Sequence, residues 1–211
     1  MSLHSFPYQL YLVISEADCM GKNFLKVAEQ AILGGVDIIQ LREKSDSTEK
    51  FLQKALKLTE ITAKYGIPLI INDNMKVAEK VNSAGIHVGN SDTAPTDLRK
   101  QPAIRDKIIG YSVEHLMQLE NEQTAVSDYL GISPVFRTQT KTDTVTEWGF
   151  EGITKIRQLT DKPLVAIGSI HLENARAVLN AGADCLAVVS AICSADDPQR
   201  AAYELKNEIL K

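Results

Sequence analysis

One repeating unit limits the folds open to this chain: an amphipathic, helix-like stretch, then a glycine, then a compact apolar run. The clearest copies are AEQAILGGVDIIQL, ITAKYGIPLIIND, AEKVNSAGIHVG and ARAVLNAGADCLAVV. Gly35, Gly66, Gly85 and Gly182 predict helix ends, because glycine adopts the left-handed conformation of a helix terminator without a Cβ clash. Each glycine then leads into a predicted strand, so helices and strands alternate along the chain.

The predicted strands are nearly continuous in apolar residues rather than alternating, which is typical of parallel strands buried on both faces. They read YLVIS, VDIIQL, PLIIN, GIHVG, KIIGYS, DYLGIS, PLVAIG and DCLAVVS. Eight such strands separated by helix-sized segments, with no linker, predict a single (β/α)8 TIM barrel domain over residues 1–211. An open doubly wound sheet is the alternative, although SEADCMGKN after the first strand lacks the glycine-rich dinucleotide fingerprint.

The composition excludes several classes of partner. A formal net charge of −4 provides no overall basic field for nucleic acid or for an anionic membrane, so we expect neither. No window approaches the roughly 20 apolar residues of a membrane-spanning helix, and MSLHSFPYQL lacks the pattern of a secretory signal. Three scattered cysteines suit a reducing compartment, and we therefore expect a cytoplasmic protein. A homo-oligomer is left open.

Polar residues gather at one end of the predicted strands. The entering ends carry glycine, alanine, isoleucine and proline, whereas the exits carry charged, amide, hydroxyl and imidazole groups. In parallel α/β folds the carboxyl ends of the strands and the loops after them form the ligand-binding face. The exits contain Gln40, Arg42, Lys44, Asn72, Asp73, His87, Asp92, Ser112, Lys141, Gly168, Ser169, Val189 and Ser190. We expect the functional site at this end of the barrel.

Two acids follow neighbouring predicted strands. Asp73 ends the run LIIND and Asp92 lies shortly after GIHVG, so both face one point if the two strands are adjacent. Converging carboxylates repel unless a cation lies between them or one of them takes a proton. Oxygen ligands without a cysteine cluster favour Mg²⁺, which keeps several waters and usually binds substrate phosphates. The alternative is two solvated loop acids.

Three basic residues occur at the same predicted end. Arg42 and Lys44 follow the second strand, and Lys141 lies in SPVFRTQTKTD after the sixth. With Mg²⁺ they would balance a diphosphate, because arginine offers a bidentate fork and lysine a compact charge. Mutually paired surface ions are the alternative. VAIGSI and LAVVSAI place small residues before helix-forming segments, which indicates a second phosphate site after strands seven and eight.

The order and identity of seven motifs resemble those of the thiamine phosphate synthase family. The motifs are QLREK at 40–44, IND at 71–73, GIHVGNSD at 85–92, GYS at 110–112, PVFRTQTK at 134–141, VAIGSI at 165–170 and AVVSAI at 187–192. The resemblance implies a transferase that joins hydroxymethylpyrimidine diphosphate to hydroxyethylthiazole phosphate, with release of pyrophosphate and with Mg²⁺ as cofactor. The expected partners are therefore small phosphorylated substrates.

The resemblance also implies a role for each matching residue. It places Gln40 and His87 at the aminopyrimidine, within a substrate-binding segment that includes Leu41 and Glu43. It assigns the diphosphate to Arg42, Lys44, Asn72, Ser112 and Lys141, the metal to Asp73 and Asp92, and the thiazole phosphate to Thr138, Gln139, Thr140, Gly168, Ser169, Val189 and Ser190. The catalytic set within these is Arg42, Lys44, Ser112 and Lys141.

Some features depart from this pattern. Ser169 stands where the family usually has a second glycine, so its side chain would either crowd the thiazole phosphate or donate a hydroxyl to it. His115 in YSVEH lies near the place where a related isomerase, thiazole tautomerase, uses a histidine. A non-catalytic protein that binds a phosphorylated ligand is a further alternative. Asp73, Asp92 and Lys141 together favour the synthase, because a tautomerase has little use for them.

Replacing Lys141 with alanine tests the predicted leaving-group site. We expect Lys141→Ala to lower turnover by about 100-fold or more, since one fixed charge at a developing anion contributes on that scale. Lys44→Ala should act similarly. Steady-state pyrophosphate release measures the loss, and circular dichroism checks that the fold is intact. Unchanged turnover in the folded Lys141→Ala variant would contradict the assignment.

Overall fold

Eight parallel strands close into a barrel in this computed structural model, which describes residues 6–137 and 146–211. The strands are β1 Leu10–Ile14, β2 Ile38–Leu41, β3 Leu69–Asn72, β4 Gly85–Val88, β5 Ile108–Val113, β6 Tyr129–Ile132, β7 Leu164–Ile167 and β8 Cys185–Val188. Each strand pairs with the next one along the chain, and β8 pairs with β1. The predicted barrel is confirmed, and closure removes the open doubly wound sheet as an alternative.

Helices connect the strands on the outside of the barrel. They are α1 Phe24–Leu33, α2 Thr48–Tyr65, α3 Met75–Lys80, α4 Pro95–Leu98, α5 Glu122–Val126, α6 Gly149–Leu159, α7 Leu172–Asn180, α8 Ser190–Cys193 and α9 Pro198–Leu210, with 3-10 turns at Ala17–Cys19 and Leu116–Glu120. Polar side chains cap several helix N-termini. Asn23, Ser47, Asn121 and Asp197 each accept a hydrogen bond from a backbone N–H in the first turn of the helix that follows. None of the helices within the described ranges combines the length and apolar content that crossing a bilayer requires.

Strand alternation divides the apolar residues into two cores. On β1, Leu10, Leu12 and Ile14 pack with the helices in the outer core. Tyr11 and Val13 point the other way and belong to the smaller core inside the barrel. Successive strand residues face opposite sides of the sheet, so runs that look uniformly apolar in sequence serve both cores.

The predicted helix-terminating glycines are right at three positions and wrong at one. Gly35, Gly66 and Gly182 have φ of 105°, 68° and 116°, which other residues rarely adopt. Gly85 instead begins β4, where an added Cβ would lie 2.3 Å from a carbonyl oxygen of β5. Close strand approach explains this glycine, and Asn82, with φ of 47°, provides the left-handed residue after α3.

Three aspartates tie the opposite end of the barrel together. Asp37, Asp128 and Asp184 each precede a strand and accept a backbone N–H from near the start of the strand before it. Each also pairs with a basic side chain from outside the barrel. The partners are Lys206 at 2.7 Å, Arg99 at 2.6 Å and Arg157 at 2.8 Å, respectively. Because one carboxylate links two strands and an outer segment, this end of the barrel is held by repeated polar clamps.

These clamps predict unequal losses of stability. The Asp128 side chain is 1% exposed and that of Asp184 is 48% exposed. We expect Asp128→Asn to lower the free energy of unfolding by about 2–4 kcal/mol, because Arg99 would keep a buried charge without its anion. Asp184→Asn, the matched control, should cost under about 1 kcal/mol because water screens the pair. Urea unfolding measures both, and equal losses would contradict the role of burial.

Candidate active site

The carboxyl ends of the strands open into a cavity of about 330 Å³, within the range of small-molecule sites. Most of the sequence-predicted residues in the described part of the chain line it. They are Gln40, Arg42, Lys44, Asn72, Asp73, His87, Asp92, Ser112, Gly168, Ser169, Val189 and Ser190. The structure therefore brings together side chains that follow six different strands. Thr138, Gln139, Thr140 and Lys141 lie outside the described residues.

Leu41 and Glu43 do not line the cavity, unlike the other members of the 40–44 segment. Leu41 is fully buried in the outer core, because strand alternation turns it away from its neighbour Gln40. The Glu43 carboxylate accepts the Glu16 N–H at 2.9 Å and pairs with Lys54 at 3.1 Å. Both side chains thus support the segment and do not reach the space that a ligand would occupy.

A cluster around Lys54 anchors the loop that carries Arg42 and Lys44. Lys54 Nζ lies 2.9 Å from Glu16, 3.1 Å from Glu43 and 2.7 Å from Asp46. Burial lowers the pKa of Lys54, but its bonds to the three carboxylates raise it above the ordinary value overall. The permanently charged ammonium joins the loops after β1 and β2 to α2.

Asp73 is held in an unusual backbone conformation at the end of β3. Its φ is 58°, and its N–H donates to the His87 carbonyl at 2.8 Å. Its carboxylate accepts from Lys44 Nζ and from Asn72 Nδ2, each at 2.5 Å. Left-handed conformations are uncommon outside glycine, and asparagine and aspartate adopt them most readily. The turn therefore fixes this acid against the cavity.

Asp92 faces Asp73 across the mouth, as the sequence predicts. Its carboxylate accepts the Gly89 N–H at 2.9 Å, which fixes the loop after β4. Burial raises the pKa of Asp73, the nearby Asp92 raises it further, and Lys44 opposes both. The site thus holds two acids whose charges are mutually unfavourable.

The two acids suit a hard cation that keeps other ligands. No cluster of three or more histidine, cysteine, aspartate or glutamate side chains with metal-binding geometry occurs in residues 6–137 and 146–211. Asp73 and Asp92 would therefore supply two oxygen ligands, leaving the rest to water or to a ligand phosphate. Mg²⁺ is commonly bound in this way, and the donor chemistry of the pair fits it.

Two basic residues share the cavity with the acids. Lys44, whose side chain is 52% exposed, forms an ion pair with Asp73. The Arg42 guanidinium lines the cavity and makes no hydrogen bond or ion pair with other residues of the described chain. A guanidinium held at a cavity wall without a protein anion is suited to bind an anionic ligand.

The loops after β7 and β8 form the other wall of the cavity. Gly168 has φ of 118°, and an added Cβ would lie 2.7 Å from the Cβ of Pro134. Ser169, with φ of 49°, donates its hydroxyl to the Arg137 carbonyl at 2.6 Å. The Ser169 hydrogen is therefore already used within the protein, and its hydroxyl can only accept a further hydrogen bond. Val189 and Ser190 lie at the start of the short helix α8.

Five side chains form a hydrogen-bonded series beneath the cavity, which we call the interior hydrogen-bond chain. Gln40 Nε2 donates to the Tyr11 hydroxyl at 2.9 Å, and the Tyr11 and Tyr129 hydroxyls lie 3.0 Å apart. The Tyr129 hydroxyl is 2.9 Å from His87 Nδ1, and His87 Nε2 is 3.0 Å from Ser112 Oγ. His87 is thus both a hydrogen-bonded interior imidazole and part of the cavity wall.

Several cavity residues were missed by the reasoning from sequence. Tyr11, Tyr129 and Glu114 line the cavity, and Glu114 accepts a hydrogen bond at 2.7 Å from Asn90, which the sequence does place among the polar strand exits. The tyrosines did leave a signal, because YLVIS and DYLGIS each carry one phenol within an otherwise aliphatic parallel strand. A buried hydroxyl needs a partner, so each tyrosine indicates an interior polar contact.

His115 does not take part in the cavity. It is exposed, and its backbone N–H donates to the Gln118 side-chain Oε1 at 2.8 Å, at the start of the Leu116–Glu120 turn. The histidine that would support a tautomerase therefore lies away from the site that the other predicted residues form.

A closed (β/α)8 barrel with two acids, Lys44 and Arg42 at its carboxyl-terminal mouth has the form of a barrel enzyme whose site suits a small anionic molecule. A family model described as thiamine monophosphate synthase matches residues 10–192. The chain belongs to the thiamine monophosphate synthase family, whose members are transferases.

Individual relatives agree with this assignment. The chain is 47% identical to the thiamine-phosphate synthase of Albidiferax ferrireducens over 95% of this chain and 91% of the relative. It is 40% identical to that of Chloroflexus aurantiacus over 96% and 93%, respectively. Among solved structures, the thiamine phosphate pyrophosphorylase from Pyrococcus furiosus superposes with a TM-score of 0.86 at 30% identity, covering 97% of this chain and 96% of the other.

The raised pKa of Asp73 predicts that this residue costs stability. Its charged form is disfavoured in the folded protein, so the penalty is present at pH 7 and vanishes as the carboxyl protonates at lower pH. Asp73→Asn should therefore stabilise the metal-free protein at pH 7, with a gain that shrinks towards acid pH, because asparagine also tolerates the left-handed turn.

Chemical unfolding between pH 4 and pH 7, with chelator present, measures the effect. Activity of Asp73→Asn should fall by about 100-fold or more, which would show that the site trades stability for function. Asp106→Asn, at an acid that is 79% exposed, is the control and should change neither property. A destabilised Asp73→Asn at pH 7 would contradict the prediction.

Proposed function

We propose that the chain joins hydroxymethylpyrimidine diphosphate to hydroxyethylthiazole phosphate, forming thiamine phosphate and pyrophosphate with the help of Mg²⁺. The observation that carries this proposal is the meeting of Asp73, Asp92, Arg42 and Lys44 at one cavity wall. Family membership supplies the reaction, and this grouping supplies the charges that a diphosphate and its metal need. The relatives at 47% and 40% identity are themselves thiamine-phosphate synthases.

The diphosphate would lie between the basic side chains of Arg42 and Lys44 and the polar ends of β3 and β5. Arg42 offers a guanidinium that can donate two parallel hydrogen bonds to a phosphate. The Lys44 ammonium would leave Asp73 and bind a phosphate oxygen instead. Asn72 and Ser112 offer neutral donors within the same cavity. Lys141 joins this group by family resemblance.

Asp73 and Asp92 would hold Mg²⁺, which would neutralise part of the charge that accumulates on the departing pyrophosphate. Two carboxylates suit the ion because they leave coordination positions for water and for phosphate oxygens. Lys44 currently balances one of these acids, so it is placed to move between the acid and the substrate as the site fills.

The reaction needs positioning and electrostatic stabilisation more than it needs a nucleophilic side chain. The bond between the pyrimidine methylene and the diphosphate oxygen breaks, and its electron pair leaves with pyrophosphate. The lone pair of the thiazole nitrogen then forms the new carbon–nitrogen bond. Arg42 and Lys44 would stabilise the leaving anion, while the interior hydrogen-bond chain would hold the ring.

The thiazole phosphate would bind on the wall formed by the loops after β7 and β8. Gly168 and Ser169 bring backbone close to the cavity, and Val189 and Ser190 present the first turn of α8. Ser169 would contribute backbone rather than its hydroxyl hydrogen, which the Arg137 carbonyl accepts. Thr138, Gln139 and Thr140 complete this subsite by family resemblance.

The remaining parts of the proposal concern the whole protein. Residues 1–211 would act as one barrel domain in the cytoplasm, with the two phosphorylated substrates as its partners. Neither nucleic acid nor membrane takes part. A homo-oligomer is compatible with this activity.

Metal-dependent pyrophosphate release from both substrates tests the proposed function. We expect chelation to abolish release, Mg²⁺ to restore it, and Asp92→Asn to lower it by about 100-fold or more. Asp97→Asn is the matched control, because Asp97 lies on α4, is 56% exposed and pairs with Lys100. Full activity of Asp92→Asn would contradict the metal assignment. Metal-free isomerisation of a thiazole carboxylate phosphate, or tight binding without turnover, would indicate the two alternative functions.

A further inference from the structure

The interior hydrogen-bond chain has a direction. Each tyrosine hydroxyl has one hydrogen to donate, and a buried hydroxyl hydrogen needs an acceptor within reach. Gln40 Nε2 donates to the Tyr11 hydroxyl, which leaves the Tyr11 hydrogen for the Tyr129 oxygen. The Tyr129 hydrogen is then left for His87 Nδ1. Donation therefore runs from Gln40 towards His87.

This direction fixes the tautomer of His87. Because Nδ1 accepts from Tyr129, the ring hydrogen of the neutral imidazole lies on Nε2, which faces Ser112 Oγ at 3.0 Å. Ser112 accepts that hydrogen and keeps its own hydroxyl hydrogen for a further partner. Ser112 also lines the cavity, so that hydrogen is available to an anion there.

The surroundings keep the two tyrosines neutral and in contact. Burial raises the pKa of Tyr11 and of Tyr129 above the ordinary value, so both phenols keep the hydrogen that the chain needs. An added Cβ at Gly110 would lie 2.1 Å from Tyr129 Cζ, and one at Gly131 would lie 3.0 Å from His87 Cε1. The two strands thus omit side chains where the phenol and the imidazole need room.

We propose that the interior hydrogen-bond chain determines specificity at both ends of the pyrimidine diphosphate, with Tyr11 and Tyr129 as positioning residues. The inference rests on the proposed function and deepens it. Gln40 donates one Nε2 hydrogen to Tyr11, which orients its amide so that the carbonyl oxygen is the acceptor for a ring amino group. At the other end, Ser112 presents a hydroxyl hydrogen to the anionic group.

The opposite direction would suit a different ligand. If Tyr11 donated to the Gln40 carbonyl, each later bond would also reverse, and Ser112 would donate to His87 Nε2. Gln40 would then offer N–H to an oxo group, and Ser112 would have no hydrogen left for an anion. An aminopyrimidine diphosphate matches the direction seen here, because its amino group donates to the Gln40 carbonyl and its phosphate accepts from Ser112. An oxopyrimidine would instead place its oxo oxygen against the Gln40 carbonyl, so that two acceptors face each other.

Binding of two matched ligands tests the inference without requiring turnover. Titration calorimetry with Mg²⁺ compares the aminopyrimidine diphosphate with an analogue in which an oxo group replaces the amino group. We expect the wild type to prefer the amino ligand, and Tyr11→Phe and Tyr129→Phe to lower that preference about tenfold, because Gln40 is then free to reverse. Tyr203→Phe, at a tyrosine on α9 that is 59% exposed, should leave the preference unchanged.

Tyr129 makes the test specific, since its hydroxyl contacts Tyr11 and not Gln40. A packing role would weaken both ligands equally, and an unchanged preference in Tyr129→Phe would overturn the inference. ¹⁵N resonances of the wild-type histidines, assigned with a His87→Gln variant, give a second measurement: hydrogen on Nε2 supports the direction, and hydrogen on Nδ1 overturns it. Binding of neither ligand would refute the proposed function, and the tautomer would still decide the inference.

Discussion

Closure of eight parallel strands is the constraint on which the rest of the structure depends. Parallel strands have all their carboxyl ends on one side, and a closed barrel brings those ends around a single mouth. Residues distant in sequence, such as Asp73 and Ser190, therefore line one cavity. The same closure gives the barrel an interior, where polar side chains of neighbouring strands must find partners in one another.

The two ends of the barrel handle charge differently. At the entering end, Asp37, Asp128 and Asp184 are satisfied by backbone N–H groups and basic side chains, so their charges support the fold. At the mouth, Asp73 and Asp92 oppose each other and Arg42 has no protein anion within the described residues. Unbalanced charges destabilise the folded protein, but they favour the binding of a ligand that neutralises them. The site is thus supported by the stability of the opposite end.

Much of the fold and most of the candidate site could be predicted from the sequence, because parallel strands and strand exits have a recognisable pattern. Some residues were assigned the wrong role, because the short stretch of sequence around each of them was equally consistent with another role. Gly85 reads like a helix terminator but is required by the approach of β5. Glu43 belongs to a charged motif but is turned towards Lys54. For Gly85 the deciding neighbour is Ile108 on β5, and for Glu43 it is Lys54 on α2, so neither could be identified from the local pattern.

The sequence by itself determined the alternation of strands and helices, the polar end of the barrel, and the family. It did so because burial on both faces and helix termination depend on short stretches of residues. Only the tertiary structure decided that Ser169 donates its hydroxyl to the Arg137 carbonyl, and that Gln40 connects through two phenols and the His87 imidazole to Ser112. Such contacts depend on strand register and closure, and a hydrogen bond acquires its direction only when all of its neighbours are in place.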